Sequence, residues 1–521
     1  MADGVRPGHI AVLAAGICLL AAPAAEGQLR VVTWNVTNYT GGRVQDIQTA
    51  VYGVYAGRSM APDIIIGQEF ISTTGVTAFR NALNTAPGSP GDWAAAPFIN
   101  GPDTDNALFY RTSKVIFLSP PVVVSQGGYS PDPPRHTIRY NLRLQGYTSS
   151  RALLACYSSH MKAGGSSSDL SRRLLEAQRI RDDAQSLNPD WHFLLVGDFN
   201  IPASSQSAYQ ELIGSQANND GRFFDPINTP GNWNNSSSYR FVHTQDPAQP
   251  YPVGMDDRFD QLLLCDDLID GDGFDYIGNP FMAYSTTTWN DPQHSHRAWG
   301  NDGTSFNDEL TVSGNQMVGP TIAQALKNVA TSSGGHLPVF LDLRVPPEID
   351  SDDVLDFGLV EQNALAEAVL AIWNAGDVAL WNAEGIADLT YDLAPSAGFG
   401  APGGTFVSVA GDPANQHIIT MDTSTIGPVN GTLVISANAP DKPSRVVTLV
   451  GEVTEPAGDP GDLDCDGDID FDDINPFVLA LNGESAYLAQ YPECRWLNAD
   501  CDEDGDVDFD DINPFVALLG G

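Results

Sequence analysis

Short apolar runs alternate with polar, glycine-rich segments over residues 28–346. Runs of this kind, bounded by turn-forming residues, are typical of buried strands. They predict strands at residues 29–36, 64–68, 107–110, 151–158, 193–196, 259–264 and 339–343. Residues 170–186 instead have helical periodicity, and Ser168 with Asp169 is predicted to cap the helix. Pro346 and Pro347 end this first region.

The pattern changes over residues 350–453, where apolar and polar positions alternate in short runs between glycine-rich turns. The runs at residues 354–360, 368–374, 431–436 and 445–451 predict a β-sandwich. Residues 454–461 are rich in proline and glycine and are predicted to be a linker. We expect this second region to be a spacer without chemistry of its own.

Length and charge support a division into several domains. A chain of 521 residues is expected to hold two to four domains. The net charge of −41 is uneven: residues 29–345 carry 30 acidic and 21 basic side chains, whereas residues 346–521 carry 34 and 3. The C-terminal part would therefore repel polyanions unless cations neutralise it.

The N-terminus has the features of an export signal. Arg6 and His9 precede an apolar run at residues 10–20, and small residues follow it, so residues 1–27 are predicted to be a signal peptide. We therefore expect a secreted or cell-surface protein without a transmembrane segment. Cys156 and Cys265 lie in apolar runs and are expected to be buried thiols, while the disulfide pairing stays open.

An acidic repeat over residues 462–521 is the strongest local signal. Two twelve-residue segments share the spacing D-x-D-x-D-G-x-[IV]-D-x-x-D, and Ile-Asn-Pro-Phe-Val follows each. Carboxylates at alternate positions with a glycine at position six are the oxygen-ligand layout of a calcium loop. The predicted calcium-binding residues are Asp462, Asp464, Asp466, Asp468, Asp470, Asp473, Asp500, Asp502, Asp504, Asp506, Asp508 and Asp511.

This repeat pair resembles a dockerin, a small α-helical calcium-loop module. Position twelve is Asp (Asp473 and Asp511) where an EF-hand usually has Glu, and a helix is expected after each loop. The resemblance implies Ca²⁺ binding and attachment to a cohesin-like or cell-surface partner. The Asn-Pro after each loop departs from a typical dockerin helix, so calcium binding is the firmer implication. The second region resembles the immunoglobulin-like repeats of bacterial surface proteins.

Polar residues stand at the ends of six predicted strands in the first region. Two packed sheets could bring such strand ends together at one edge. In chain order the motifs are Thr33-Trp34-Asn35, Gln68-Glu69, Ser158-Ser159-His160, Gly197-Asp198-Phe199-Asn200, Phe259-Asp260-Gln261 and Gly335-His336-Leu337-Pro338.

These motifs, in this order, resemble those of the endonuclease/exonuclease/phosphatase family, and the resemblance covers residues 29–345. It implies an α/β fold, a four-layer DNase-like sandwich, with the site at one end of both sheets. It also implies hydrolysis of a phosphoric ester with a divalent metal, Mg²⁺ or Mn²⁺, which prefers hard oxygen ligands.

The resemblance assigns roles to seven residues. Glu69 is the main metal ligand, and Asn35 positions the metal or its waters. His336, paired with Asp260, acts as a base or stabilises the transition state. The remaining three residues contact water or phosphate: Asp198 orients or deprotonates the water, Asn200 holds the phosphate, and His160 contacts the phosphate or protonates the leaving oxygen.

One position departs from the family pattern. The last motif usually reads Ser-Asp-His, but here Gly335 precedes His336, so a carboxylate that commonly touches the metal site is missing. Asp302 and Asp308 are candidates to replace it. We still expect an active enzyme, because the other motif positions are intact.

The substrate is the open question. The first hypothesis is a secreted nuclease acting on DNA or RNA, with arginines near the site holding the backbone; the candidates are Arg111, Arg139, Arg172 and Arg173. The alternatives are a phosphatase, a sphingomyelinase-like phosphoesterase, or a non-enzymatic calcium-dependent scaffold with a degenerate hydrolase domain. The sequence does not distinguish endo- from exonuclease action.

Overall fold

The fold is described from a computed structural model, which covers residues 28–331, 334–455, 458–492 and 494–520. The predicted signal peptide at residues 1–27 lies outside the described residues. Within the described part of the chain, no helix combines the length and apolar character needed to cross a membrane.

The first region contains twelve strands and five α-helices among its described residues. The strands are β1 (Leu29–Tyr39), β2 (Ile64–Phe70), β3 (Trp93–Ala95), β4 (Asp105–Arg111), β5 (Val115–Ser125), β6 (Thr137–Leu144), β7 (Leu153–His160), β8 (His192–Asp198), β9 (Asp260–Leu264), β10 (Asp275–Tyr276), β11 (Arg297–Ala298) and β12 (Val339–Arg344). The helices are α1 (Val44–Tyr52), α2 (Thr73–Thr85), α3 (Ser167–Gln185), α4 (Ser207–Ile213) and α5 (Gly319–Ala330).

These strands form two sheets. One has the order β10-β12-β1-β2-β4-β3, with β11 also pairing with β12, and the other has the order β5-β6-β7-β8-β9. Successive residues of a strand point to opposite faces. Thus Val31 and Ile64 enter the core shared by the two sheets, whereas Val32 and Ile65 pack in the core that includes α1, α2 and α5. Helix α3 covers the other sheet through residues such as Ile180.

The observed elements confirm the α/β class, and all seven predicted strands exist with small shifts at their ends. The predicted helix at residues 170–186 is α3, but its cap was misplaced. Ser166 is the N-cap: its hydroxyl accepts a hydrogen bond from the Asp169 amide, and the Asp169 side chain bonds back to the Ser166 amide. Asp169 therefore occupies the third helical position of a capping box. The elements of this region that were not predicted are α1, α2, α4, α5, β3, β5, β6, β10 and β11.

The second region is built from two further sheets. Its elements are β13 (Ile349–Ser351), β14 (Val354–Glu361), β15 (Ala366–Asn374), α6 (Val378–Trp381), β16 (Leu389–Pro395), β17 (Phe399–Gly400), β18 (Phe406–Ser408), β19 (Asn415–Met421), β20 (Gly427–Ala437) and β21 (Ser444–Thr454). One sheet has the order β13-β15-β19-β17 and the other β14-β21-β20-β16-β18. Residues of both sheets, such as Leu370 and Leu433, share one core. The immunoglobulin-like identity stays a prediction.

The second region packs against the first. The carboxylate of Asp441 accepts hydrogen bonds from the amides of Thr148 and Ser149, and Trp381 belongs to the main core of the first region. We therefore expect these two regions to move as one body rather than as domains on a flexible tether.

The described residues of the tail form three short α-helices, α7 (Ile474–Ala480), α8 (Glu484–Leu488) and α9 (Ile512–Leu518). A disulfide joins Cys465 to Cys494, a pairing that the sequence had left open. The other cysteines of the described chain are free, and Cys156 and Cys265 are buried as expected. Burial raises the pKa of both thiols, so they behave as packing groups rather than nucleophiles.

Candidate active site

The predicted site residues gather because their strands end at the same edge. In one sheet Asn35 lies opposite Gln68 on the parallel pair β1 and β2. In the other sheet Asp198 lies between His160 on β7 and Asp260 on β9. The sheets pack face to face, and the side-chain nitrogen Nδ2 of Asn35 lies 3.2 Å from Asp198 Oδ2. The two sheets thus contribute to one shared cluster.

Gly197 permits the close approach of β7 and β8 beside the cluster. Its φ of 146° is unfavourable for other residues, and a Cβ at this position would overlap the carbonyl oxygen of Ser159. The glycine before Asp198 is therefore a packing requirement of the two strands that carry His160 and Asp198.

Two site residues have a left-handed backbone. Glu69 has a φ of 64° and Asn200 a φ of 50°. This conformation is uncommon for a residue such as Glu and costs on the order of 1 kcal/mol or more. The Glu69 carboxylate is then fixed by hydrogen bonds from the side chain of Asn35 at 3.0 Å and the amide of Asn38 at 2.8 Å. Strain that is retained and supported in this way indicates a functional position.

Asp198 is the centre of the cluster. Its Oδ2 lies 3.2 Å from His160 Nε2 and 3.3 Å from His336 Nε2, and it also accepts from Asn35. Burial acts to raise the pKa of Asp198, but the charges of His336 and His160 outweigh it and hold the pKa well below its usual range. Asp198 is therefore a carboxylate at any working pH.

His336 is held between two carboxylates. Its Nδ1 lies 2.6 Å from Asp260 Oδ2, which also accepts from the Thr244 hydroxyl at 2.6 Å. His336 and Asp260 are both almost fully buried. Burial alone would lower the pKa of His336, but the charges of Asp260 and Asp198 raise it to about 10. The imidazole is therefore cationic at neutral pH, with its orientation fixed by Asp260.

The carboxamides of the site are oriented as donors. Asn35 Oδ1 accepts from the Thr37 amide, so the nitrogen of Asn35 faces Glu69 and Asp198. Asn35 is thus placed to orient these carboxylates rather than to bind a metal through its own oxygen. Asn200 donates one hydrogen bond to the Met161 carbonyl, and its amide donates to Asp198 Oδ1 at 3.1 Å.

The arginines proposed to hold the phosphate backbone are engaged in the fold instead. They donate to groups of the protein: Asp63 and Asp92 for Arg111, Asp183 for Arg139, the Asp132 carbonyl for Arg172, and the Lys162 and Gly164 carbonyls for Arg173. These contacts correct the sequence-based expectation, because a buried ion pair or carbonyl contact leaves little of the guanidinium for a ligand.

The proposed replacements for the missing carboxylate are also engaged elsewhere. Asp302 accepts from the amides of Thr304 and Gln316, and Asp308 accepts from the amide of Tyr251. Neither has an interaction with His336 among the described residues.

The sequence analysis missed a loop that packs on His336. Gln245 places its side-chain nitrogen 3.3 Å from His336 Nε2, and Asp246 and Asp257 lie close enough for their charges to interact with the imidazole. Burial and the charge of Asp246 raise the pKa of Asp257 to about 6. No motif marks residues 244–257, so the sequence carried no signal for them.

The donor set fits a divalent metal such as Mg²⁺ or Mn²⁺. Glu69 presents carboxylate oxygens beside the carboxylate of Asp198, and no cysteine lies among the site residues. Mg²⁺ typically binds one or two protein carboxylates and completes its shell with water and substrate phosphate. Glu69 could therefore hold the metal, which would supply positive charge to the phosphoryl oxygens.

The tail forms a second candidate metal centre. Carboxylate oxygens of Asp462, Asp464 and Asp473 lie within 4.8 Å of one another, as do those of Asp500, Asp502 and Asp504. Asp466, Asp468, Asp470, Asp506, Asp508 and Asp511, the other predicted ligands, lie in the same two loops. All donors are oxygen, which suits Ca²⁺.

The two loops have equivalent internal contacts. The Gly467 amide donates to Asp462 in the first loop, and the Gly505 amide donates to Asp500 in the second. The following helices pack together through Phe477 and Phe515, whose rings stack with centroids 4.2 Å apart. The repetition seen in the sequence is thus a structural repeat around one small core.

Comparison with known proteins gives structural neighbours only. No protein-family model and no curated protein matches the chain. Among solved structures, D. rerio TDP2 with a single-strand DNA product is 12% identical, with 61% of this chain and 99% of that chain covered and a TM-score of 0.33. The endonuclease/exonuclease/phosphatase of Beutenbergia cavernae is 15% identical, with 81% and 100% covered and a TM-score of 0.33.

The catalytic domain of human Nocturnin is 12% identical, with 62% of this chain and 95% of that chain covered and a TM-score of 0.33. These neighbours have the endonuclease/exonuclease/phosphatase fold, at low identity. Since every one of these TM-scores is below 0.5, inferences about function rest on the residues of the site.

Proposed function

We propose that the first region is a divalent-metal-dependent phosphodiesterase that hydrolyses DNA or RNA. One observation carries this proposal: a buried, cationic His336 lies between Asp260 and Asp198, and Asn35 links Asp198 to Glu69. Hydrolysis of a phosphodiester requires charge stabilisation on the phosphoryl oxygens, a positioned water and a divalent metal. The cationic His336, the carboxylate of Asp198 and the metal ligand Glu69 would meet these three needs side by side.

Each residue has a role that follows from its contacts. Asp198, held anionic, orients the attacking water and accepts its proton. His336, held cationic by Asp260, stabilises the charge that develops on the phosphoryl oxygens. His160, whose Nε2 faces Asp198, is placed to contact the phosphate or the leaving oxygen, while Asn200 presents its carboxamide to the phosphate. Glu69 would hold the metal, and Asn35 donates hydrogen bonds that orient the carboxylates of Glu69 and Asp198.

A loop beside the site supports a nucleic-acid substrate. The amide of Asp246 donates to the carbonyl of Gly254 at 2.9 Å, which closes a loop directly after Gln245. Near its tip, Tyr251 is 72% exposed. An exposed aromatic ring on a loop that begins beside the site could stack on a base, a contact worth about 1–3 kcal/mol per base. We therefore expect Tyr251→Ala to raise KM for single-stranded substrates with little change in kcat.

The test compares metal-dependent hydrolysis of several phosphoesters. Full-length protein, wild type and His336→Ala, is assayed by plasmid nicking with Mg²⁺, Mn²⁺ or EDTA. Sphingomyelin and p-nitrophenyl phosphate are assayed in parallel. The proposal expects metal-dependent nicking that falls by several orders of magnitude in His336→Ala. Equal nicking by both proteins would refute this assignment of the site.

The other substrates separate the alternatives. Faster hydrolysis of sphingomyelin or of the monoester would favour a sphingomyelinase-like enzyme or a phosphatase over a nuclease. No hydrolysis of any substrate would favour the calcium-dependent scaffold. Glu69→Gln is the companion variant: it should lose activity at low metal concentration first, because it removes the main metal ligand.

For the tail we propose Ca²⁺ binding and anchoring outside the cell. Two equivalent loops of carboxylates support calcium binding, and the predicted signal peptide supports export. Phe471 and Phe509, at equivalent loop positions, are 76% and 75% exposed and would form the contact with a cohesin-like or cell-surface partner. Calorimetry with Ca²⁺ tests the first part, with two bound ions per chain expected.

A further inference from the structure

Residue 335 has no room for a side chain. A Cβ on Gly335 would overlap the carbonyl oxygen of Ala330 and lie 2.6 Å from the Ala330 Cβ. The segment before β12 is therefore packed tightly on the end of α5, where Ala330 is the last residue. The absence of a carboxylate at position 335 is thus built into the packing of this chain.

Asp246 lies beside the segment that contains Gly335. The backbone of Gln245 forms an antiparallel bridge with His336, and the Leu337 amide donates to the Thr244 carbonyl at 2.9 Å. These bonds fix the residue after Gln245 against the segment that contains Gly335. The Asp246 carboxyl group interacts there with the amides of Gly334 and Gly335 and with the charge of His336.

The Asp246 carboxylate lacks a partner for one oxygen. The residue is 5% exposed, and its Oδ1 has no hydrogen-bond partner among the described residues. Asp257 differs, because both of its oxygens accept hydrogen bonds from Asn234. A buried carboxylate oxygen without a donor is unfavourable unless a cation or a bound group satisfies it.

We propose that Asp246 supplies, on the His336 side of the site, the carboxylate that residue 335 cannot provide, and that it helps to bind the divalent cation of the reaction. The inference rests on the proposed function, because it concerns the same site. It makes Asp246 a cation-binding residue outside all six strand-end motifs. Asp302 and Asp308, the candidates suggested by the sequence, have no buried oxygen without a hydrogen-bond partner among the described residues.

The test measures Mn²⁺ binding to the full-length protein by electron paramagnetic resonance, without substrate. Wild type is compared with Asp246→Asn and with Asp302→Asn, a control that changes an equally buried carboxylate of the same region. The tail aspartates are identical in all three proteins, so differences in binding report on the first region. Asp246→Asn should raise the Kd for the first-region Mn²⁺ by about 10-fold or more, and Asp302→Asn should leave it within about twofold.

The outcomes separate this inference from the proposed function. If wild type binds Mn²⁺ in the first region and Asp246→Asn binds it equally well, the role of Asp246 is refuted while the proposed function stands. If Asp302→Asn shows the larger loss, Asp302 is the replacement and the inference is also wrong. If wild type has no Mn²⁺ site apart from the tail, both fail. A circular-dichroism melt of each variant identifies any loss caused by unfolding, and Asp246→Glu, which keeps the charge, should recover part of the affinity.

Discussion

Replacement of Asp260 by Asn tests the electrostatic core of the site. The substitution keeps the size of the side chain but removes the charge that lies 2.6 Å from His336 Nδ1. The side-chain nitrogen of the new Asn is a hydrogen-bond donor, so it could donate to His336 Nδ1 and favour a neutral imidazole. We therefore expect the cationic state of His336 to be lost in the pH range where the wild-type enzyme keeps it.

The size of the effect follows from the pKa of His336. The rise from 6.5 to about 10 is 3.5 units, which corresponds to roughly 5 kcal/mol. Asp260 is the largest of the attractive contributions, ahead of Asp198. If Asp260 supplies about half, its removal lowers the pKa of His336 by roughly two units, so kcat/KM is expected to change little near neutral pH and to fall on the order of 50-fold near pH 10.

The assay is the pH dependence of kcat/KM for metal-dependent nicking. The pKa of His336 is raised to about 10, so its cationic form persists through neutral pH and is lost as the pH rises through about 10. In Asp260→Asn the alkaline limb of the profile should move to lower pH by about two units. Asp275→Asn is the control, because Asp275 lies opposite Arg344 on the neighbouring strand, at the end of β12 far from His336. An unchanged rate and profile in folded Asp260→Asn would refute the reasoning.

Three further predictions concern packing, calcium and salt. Gly197→Ala should lower the melting temperature by several degrees, about 2–4 kcal/mol, because its Cβ overlaps the Ser159 carbonyl; Gly165→Ala, where space is open, should not. Repulsion from the neighbouring carboxylates raises the pKa of Asp468, so protonation of Asp468 stabilises the folded tail at low pH and this stabilisation is lost as the pH rises. Without Ca²⁺, circular dichroism should therefore show a more ordered tail near pH 4 than at pH 7; equal order at both pH values would contradict this. The kcat/KM for nucleic-acid hydrolysis should fall with salt, and the slope of its logarithm against the logarithm of the salt concentration should correspond to about one or two phosphate contacts, because the arginines proposed as contacts bind other groups of the protein. A slope equivalent to about six or more contacts would contradict this.

The strands could be predicted from the sequence because both of their faces are buried, which makes nearly every position along them apolar. Ile64, Ile65 and Ile66 are all fully buried, since one core lies on each side of β2. Such a run is visible without any structure. Helices α1 and α2 were missed although their buried residues have helical spacing, Ile47, Ala50 and Val51 in α1 and Val76, Phe79 and Leu83 in α2, because both helices are short. Here tertiary packing, rather than local pattern, stabilises the helix.

The candidate site was predicted where it coincides with strand ends and missed where it lies in loops. Glu69, His160, Asp198 and Asp260 each stand at the end of a recognisable apolar run. Thr244 and Gln245 do not: they reach His336 only because the loop forms backbone bridges with the segment before β12. Pairing between segments some ninety residues apart leaves no periodic trace in either one.

The charge of the site favours the participation of a metal. The cluster combines Glu69, Asp198 and Asp260 with two histidines, and Asp246 and Asp257 add further negative charge beside His336. A phosphodiester brings another negative charge into the same space, and the arginines that could have balanced it are bound to other groups of the protein. His336 contributes one positive charge, which the three carboxylates of the cluster outnumber. A bound cation would supply positive charge for the phosphate, so the acidity of the site agrees with the metal dependence proposed above.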